Sequence, residues 1–233
     1  MRSSTWSALG NTYVVVEPNP TRSLNPAQAH DLAGDADGVV EVVSAGDEDM
    51  CIVIWNPDGS QAELSGNGTR IAAAWLAERS GARRITVRVG EREVVATVLE
   101  SGEIEQDLGE VRVGPPEVVD GIAFVRVSVG NPHAVVIGDP GEIQRIGPLL
   151  ETHPRFPDRT NVQVVRIEAL GEVTARVWER GVGETSSSGT SAVAVAAATH
   201  DDGDVVVHFP GGDLLVRLEG GRARLTGPAE RMY

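Results

Sequence analysis

The sequence predicts an α+β protein made of two pseudo-symmetric α/β halves, each a mixed sheet around a central helix. Three observations carry this. Runs of β-branched residues bounded by turn residues recur along the whole chain. Two Ala-rich apolar runs, Ile71 to Ala77 and Ala192 to Ala198, have helical character. The surroundings of these two runs follow one plan, 123 residues apart.

In the first copy Trp55-Asn56 is followed by a turn at Pro57-Asp58-Gly59, then by Ser65-Gly66-Asn67-Gly68 and the helix. In the second, Trp178-Glu179 is followed by Arg180-Gly181-Val182-Gly183, then by Ser188-Gly189-Thr190-Ser191 and the helix. The polar residue after each Trp precedes its Ser by nine positions. Ala8-Leu9-Gly10-Asn11 has a counterpart in Ser128-Val129-Gly130-Asn131, and Ile85 to Gly109 resembles Asp204 to Gly227. Recurrence in one order indicates duplication. The break falls at the linker signal Gly114-Pro115-Pro116, giving halves 1–114 and 115–233.

The strands, in order, are expected at Tyr13 to Val16, Val39 to Val43, Cys51 to Trp55, Ile85 to Val89 and Val94 to Leu99 in the first half. In the second they are expected at Val125 to Val129, Val162 to Ile167, Val173 to Trp178 and Val205 to His208. The two helices begin at Gly66 and Gly189, each after a Ser that can cap free backbone N–H groups. They stop at Ser80-Gly81 and Asp201-Asp202-Gly203. Gln144 to Leu150 reads as a third, shorter helix.

Composition excludes several classes of function. A net charge of −14 argues against nucleic acid, which needs a basic footprint. No stretch approaches the roughly 18 apolar residues of a membrane span. The N-terminus lacks a signal-peptide core, so the expected location is the cytoplasm. The single cysteine, Cys51, rules out an intrachain disulfide and reads as a buried strand residue. All 20 basic residues are arginine, so no lysine exists to hold pyridoxal phosphate as a Schiff base. The five histidines show no zinc spacing, and no metal is expected. Walker, GxGxxG and GxSxG motifs are absent.

The two Ser-Gly segments are candidate anion sites. Small residues admit a ligand to the backbone, and the N–H groups and dipole of a helix start attract a carboxylate. A single Ser-Gly start is more often a plain cap. Two at matching positions point to a shared ligand. Both aimed at one carboxylate would stabilise a carbanion at the adjacent carbon.

The motifs Ala8-Leu9-Gly10-Asn11, Asn56-Pro57-Asp58-Gly59-Ser60, Ser65-Gly66-Asn67-Gly68-Thr69-Arg70, Gly130-Asn131-Pro132-His133, Thr160-Asn161-Val162, Glu179 to Thr185, Ser188-Gly189-Thr190 and Leu225 to Ala229 resemble, in order, those of diaminopimelate epimerase. The resemblance implies paired α/β halves with the site in the cleft between them. It implies an isomerase of lysine biosynthesis that interconverts LL- and meso-diaminopimelate by two-base proton transfer, without a cofactor. Its partner is a small amino-acid substrate, and the reading is compatible with a homodimer. Carried over by position, Asn11, Asn56, Asn131, Asn161, Glu179 and Arg180 bind the distal amino-acid end. Gly66, Asn67, Gly189 and Thr190 cradle the reacting carboxylate. His133 and Glu179 flank the reacting α-amino group. The family has cysteine bases where this chain has Ser65 and Ser188, and a serine hydroxyl is a far weaker acid than a thiol. Other readings stand beside this one: a non-catalytic amino-acid-binding protein, an isomerase acting on another small amino acid, and a related isomerase such as the phenazine-biosynthesis type, which uses a carboxylate base and no cysteine.

Overall fold

The computed structural model describes residues 2–19 and 23–232. The chain forms two compact units. One runs to Asp107 and includes the chain from Thr226 onward; the other is Leu108–Leu225.

In the first unit, strands Ser3–Ala8 and Asn11–Val16 form a hairpin. Its two-residue turn, Leu9-Gly10, has positive φ at both positions, the conformation whose twist matches a hairpin. Asn11–Val16 then pairs in parallel with Gly38–Ala45, which pairs antiparallel with Asp49–Trp55. Asp49–Trp55 pairs in parallel with Arg84–Val89, and Arg92–Val98 closes the next hairpin. The first parallel crossover carries helix α1 (Pro26–Ala33) and the second carries helix α2 (Gly66–Ser80).

The second unit repeats this topology. Ile122–Ser128 and Pro132–Ile137 form the hairpin, Pro132–Ile137 pairs in parallel with Asn161–Ala169, and that strand pairs antiparallel with Glu172–Glu179. Glu172–Glu179 pairs in parallel with Gly203–Phe209, which pairs antiparallel with Gly212–Glu219. The crossovers carry α3 (Ile143–Glu151) and α4 (Gly189–Thr199). The repeat holds at the level of register. Val39 faces Trp55 as Val162 faces Trp178, Tyr13 faces Gly38 as His133 faces Asn161, and Trp55 faces Gln61 as Trp178 faces Glu184. One-residue slips would invert every side chain, so this agreement is a strong mark of common design.

Each central helix is buried nearly all round at its start. Residues 66–73 of α2 and residues 189–196 of α4 are inaccessible, which is why both runs are Ala-rich rather than amphipathic. Helix α2 packs against the sheet of its own unit, within a core that includes Trp6, Val15, Ile52, Ile71, Trp75 and Ile85. Helix α4 contacts the strands on both sides of its own crossover. Helix α3 lies so close to Trp178 that a Cβ on Gly147 would sit 2.7 Å from Trp178 Cβ.

Three expectations change. Gly114-Pro115-Pro116 is no linker: it lies inside strand Arg112–Val119, paired with Ile122–Ser128 and interrupted by a bulge. The prolines survive there because the register shifts between Val113 and Pro116, and a bulge is a place where a strand tolerates proline. Helix α1 was not anticipated from the pattern of apolar residues. Its signal is a capping box, with Asn25 and Gln28 satisfying each other's backbone N–H ahead of Pro26. Cys51 is half-buried rather than buried, on the alternate face from Met50 and Ile52. Among the described residues, no helix is long and apolar enough to cross a membrane.

Candidate functional site

In the first unit Ser65 is the N-cap of α2. Its extended backbone lets Oγ turn back and accept the Gly68 N–H at 3.0 Å. The same oxygen lies 3.1 Å from the Tyr13 hydroxyl. Gly66 and Asn67 follow, both buried. Asn67 Oδ1 accepts from Arg70 Nη2 at 2.8 Å, so the carboxamide is turned with its oxygen toward the helix. Arg70 is itself wholly buried; Nε donates to Pro228 O at 2.9 Å, and Nη1 finds no partner among the described residues. Burial lowers its pKa to about 10, against the opposing attraction of the Tyr13 phenolate charge.

Asn11 opens its strand directly after the Leu9-Gly10 turn and is buried. Asn56 lies one residue beyond Trp55, whose indole N–H donates to buried Glu41 at 2.9 Å. Asn56 Nδ2 donates to Ser60 Oγ at 2.9 Å, and Ser60 N–H and O–H both donate to Asp58. Those two bonds hold the Asp58 carboxyl below the usual carboxylate range. Gly59 completes this turn at φ +83°, and a Cβ there would meet Pro26 O at 2.5 Å.

In the second unit Ser188 starts α4 with extended backbone but makes no side-chain cap bond. This departs from the expectation that both serines cap. Thr190 Oγ1 accepts from Asn131 Nδ2 at 3.2 Å. Asn131 Oδ1 meets His133 Nε2 at 2.9 Å, and His133 Nδ1 meets Gln163 Nε2 at 3.0 Å. Gln163 Nε2 also donates to Ser191 Oγ at 2.9 Å. The consistent assignment is a neutral imidazole with its proton on Nε2. Burial, reinforced by the positive charge of Arg180, lowers the His133 pKa to about 3. His133 is thus a sealed, neutral link with both nitrogens engaged.

Asn161 ties two loops together: Nδ2 donates to Pro132 O at 3.0 Å and Oδ1 accepts the Arg180 N–H at 2.9 Å. Glu179 Oε1 accepts from Thr185 Oγ1 at 2.6 Å, and Arg180 Nη1 donates to Asp158 O at 3.2 Å. Behind this turn stands buried Glu151. It accepts from Trp178 Nε1 at 2.8 Å, Gly181 N at 2.6 Å and Arg159 Nη2 at 2.5 Å. Both tryptophans therefore end on a buried carboxylate, but from non-equivalent places, a strand in one unit and the end of α3 in the other.

Within the first unit the structure gathers Ser65, Gly66 and Asn67 at the start of α2; within the second it gathers Ser188, Gly189 and Thr190 with Asn131 and His133. Sequence reasoning missed Tyr13, Glu41, Glu151, Gln163 and Ser191. Tyr13 and Gln163 sit two residues beyond Asn11 and Asn161, on the same strand face by the period of two, which is the signal that marks them. Nothing in the local sequence marks Glu151, because its partners come from residues 159, 178 and 181.

A family model described as diaminopimelate epimerase matches residues 5–115 and 125–232. A diaminopimelate epimerase from Pelotomaculum thermopropionicum is 35% identical, over 97% of this chain and 94% of its own. One from Azotobacter vinelandii is 32% identical, over 100% and 97%. Among solved structures, a predicted epimerase from Pseudomonas aeruginosa aligns with a TM-score of 0.79 at 17% identity, over 100% of this chain and 97% of its own. A hydroxyproline epimerase from Agrobacterium vitis with bound trans-4-OH-L-proline aligns at 0.69 and 16%, over 99% and 88%. At these identities the structures speak for the fold.

Proposed function

This chain belongs to the diaminopimelate epimerase family, and on that premise we propose that it interconverts LL- and meso-diaminopimelate by proton transfer at one α-carbon, without a cofactor. The observation that carries the proposal is the family match along nearly the whole chain, whose matched residues include both helix starts and the candidate asparagines Asn11, Asn56, Asn131 and Asn161. The same reading makes it a cytoplasmic enzyme of lysine biosynthesis and is compatible with a homodimer.

In this reading the reacting carboxylate is held by the backbone at Gly66-Asn67 and Gly189-Thr190, where helix dipoles stabilise the charge that builds on the carboxylate as the α-proton leaves. Asn11, Asn56, Asn131, Asn161, Glu179 and Arg180 read the distal amino-acid end. Ser65 and Ser188 address the two faces of the α-carbon. His133, neutral and buried, contributes by fixing Asn131 and through it Thr190. Glu179, oriented by Thr185, supplies the carboxylate beside the α-amino group.

The test is mass spectrometry of diaminopimelate incubated with the protein in deuterated water, with calorimetry in parallel. The proposal expects binding and incorporation of deuterium at one α-carbon. Binding without any incorporation would support the non-catalytic binding protein instead. Binding of proline but not of diaminopimelate would move the substrate elsewhere.

A further inference from the structure

The two serines occupy matching positions, yet their surroundings differ. Ser65 Oγ accepts the Gly68 N–H and lies 3.1 Å from the Tyr13 hydroxyl. Ser188 has no cap bond. The residue that matches Tyr13 in the second unit is His133, and its nitrogens face Asn131 and Gln163 instead.

Tyr13 is held for this contact. Its ring lies against Gly38, where a Cβ would come within 2.8 Å of Tyr13 Cε1 and 2.6 Å of Trp55 O. Its residual exposure is 9%. One turn into α2, beyond the Ser65 cap, is Arg70, fully buried. Its guanidinium bonds a carbonyl and an amide oxygen, and among the described residues it pairs with no carboxylate. Burying a cation without a counter-charge is costly. Arg70 is fixed at the same helix start by its 2.8 Å bond to Asn67, and the Tyr13 oxygen lies 3.1 Å from the Ser65 cap of that helix, so a phenolate there is an anion whose charge favours the Arg70 cation.

We propose that Tyr13 is the proton acceptor behind Ser65, with its phenolate stabilised by Arg70, and that this pair does at the first helix start what a thiolate does elsewhere in the family. The inference rests on the epimerase reading given above. Ser65 Oγ takes the α-proton while its own hydroxyl proton passes to the Tyr13 phenolate. The electron pair of the broken C–H bond stays on the α-carbon and spreads into the carboxylate. The abstracted proton now sits on Ser65 Oγ and the former serine proton on the Tyr13 phenol; both hydroxyls exchange with solvent, and the reverse transfer then returns a solvent-derived proton from Ser65 to the same face. A phenol, with a reference pKa of about 10, is roughly 1% ionised at pH 8 before any help from Arg70, whereas a serine hydroxyl alone is not measurably ionised. Abstraction is therefore expected to be slow but real, and to take place on the face that Ser65 addresses.

A double-mutant cycle tests this, with deuterium incorporation into diaminopimelate as the rate and calorimetry as the binding control. Tyr13→Phe removes one oxygen and keeps the ring. In the Ser65 protein it should cut incorporation by about a hundredfold, the scale of a lost general base, with affinity unchanged within about twofold. In the Ser65→Cys protein the same change should cost less than about threefold, because a thiolate needs no acceptor behind it. Arg70→Lys should retain more activity than Arg70→Gln in the Ser65 protein. Equal losses from Tyr13→Phe in both backgrounds would mean a structural role and overturn the proposal. So would an undiminished rate in the Ser65 protein, or no incorporation by a wild-type protein that binds diaminopimelate. A wild-type protein that fails to bind diaminopimelate would instead overturn the epimerase reading, and this inference with it.

Discussion

Replacing His133 by Gln, and following the stability of both proteins with pH, tests whether the link to Thr190 is sealed. In the fold His133 is inaccessible, with both ring nitrogens engaged, and its pKa lies at about 3 instead of 6.5. Below pH 6.5 the unfolded chain takes up a proton that the folded chain refuses. The neutral form's contribution is thus complete above pH 6.5 and declines as pH falls, down to about pH 3, where the folded state accepts the proton as well. Within that window the slope is about 1.4 kcal/mol per pH unit, so at pH 5 this residue alone removes about 2 kcal/mol. At pH 7 His133→Gln should be the less stable protein, by about 1–3 kcal/mol, because Asn131 and Gln163 lose a buried partner. Every other group is common to the two proteins, so its contribution cancels in the difference. Urea unfolding at pH 7 and pH 5 should therefore show the gap between the two proteins shrinking by about 2 kcal/mol. A gap that stays constant would mean that His133 titrates in the fold as it does in the unfolded chain, and the argument for a sealed neutral imidazole would fail.

Three further outcomes are expected. The double change Ser65→Cys with Ser188→Cys should raise α-proton exchange by several orders of magnitude, since each thiol would sit at a helix start that favours the thiolate; either single change should give exchange with little epimerisation, and chiral analysis of the product reads the difference. Glu151→Gln should destabilise the protein by about 3–5 kcal/mol and weaken diaminopimelate binding, because the buried site loses its negative charge opposite Arg159, and the oxygen replaced by the amide NH2 leaves either the Gly181 or the Trp178 N–H facing a donor; denaturant unfolding and calorimetry measure both. Gly59→Ala should cost about 1–3 kcal/mol, as φ +83° is strained for alanine and its Cβ would meet Pro26 O; an unchanged denaturation midpoint would show that this turn relaxes freely.

The duplication, the two central helices and β-branched strands such as Asp49–Trp55 and Asn161–Ala169 were legible in the sequence because each rests on local periodicity, propensity and turn chemistry, whereas Ser3–Ala8, Arg112–Val119 and Pro132–Ile137 were not read as strands. The register of Val39 on Trp55 and of Val162 on Trp178 follows from the same 123-residue offset that the motifs display. The serines, glycines and asparagines of the candidate site were legible because they cluster in short motifs at element ends. Gly114-Pro115-Pro116 misled because Gly and Pro mark a break only where no neighbouring strand claims the backbone, and Ile122–Ser128 does claim it. Helix α1 escaped because its signal is a cap rather than an apolar stripe. What only tertiary structure decided is the partnership of each polar group. Nothing in the local sequence says that Arg70 goes without a carboxylate, that Glu151 collects N–H groups from residues 159, 178 and 181, or that Tyr13 reaches Ser65 while its counterpart His133 turns to Gln163. Those pairings join residues far apart in the chain, and their strength depends on burial, which lowers the local dielectric and makes each bond, or each missing one, count.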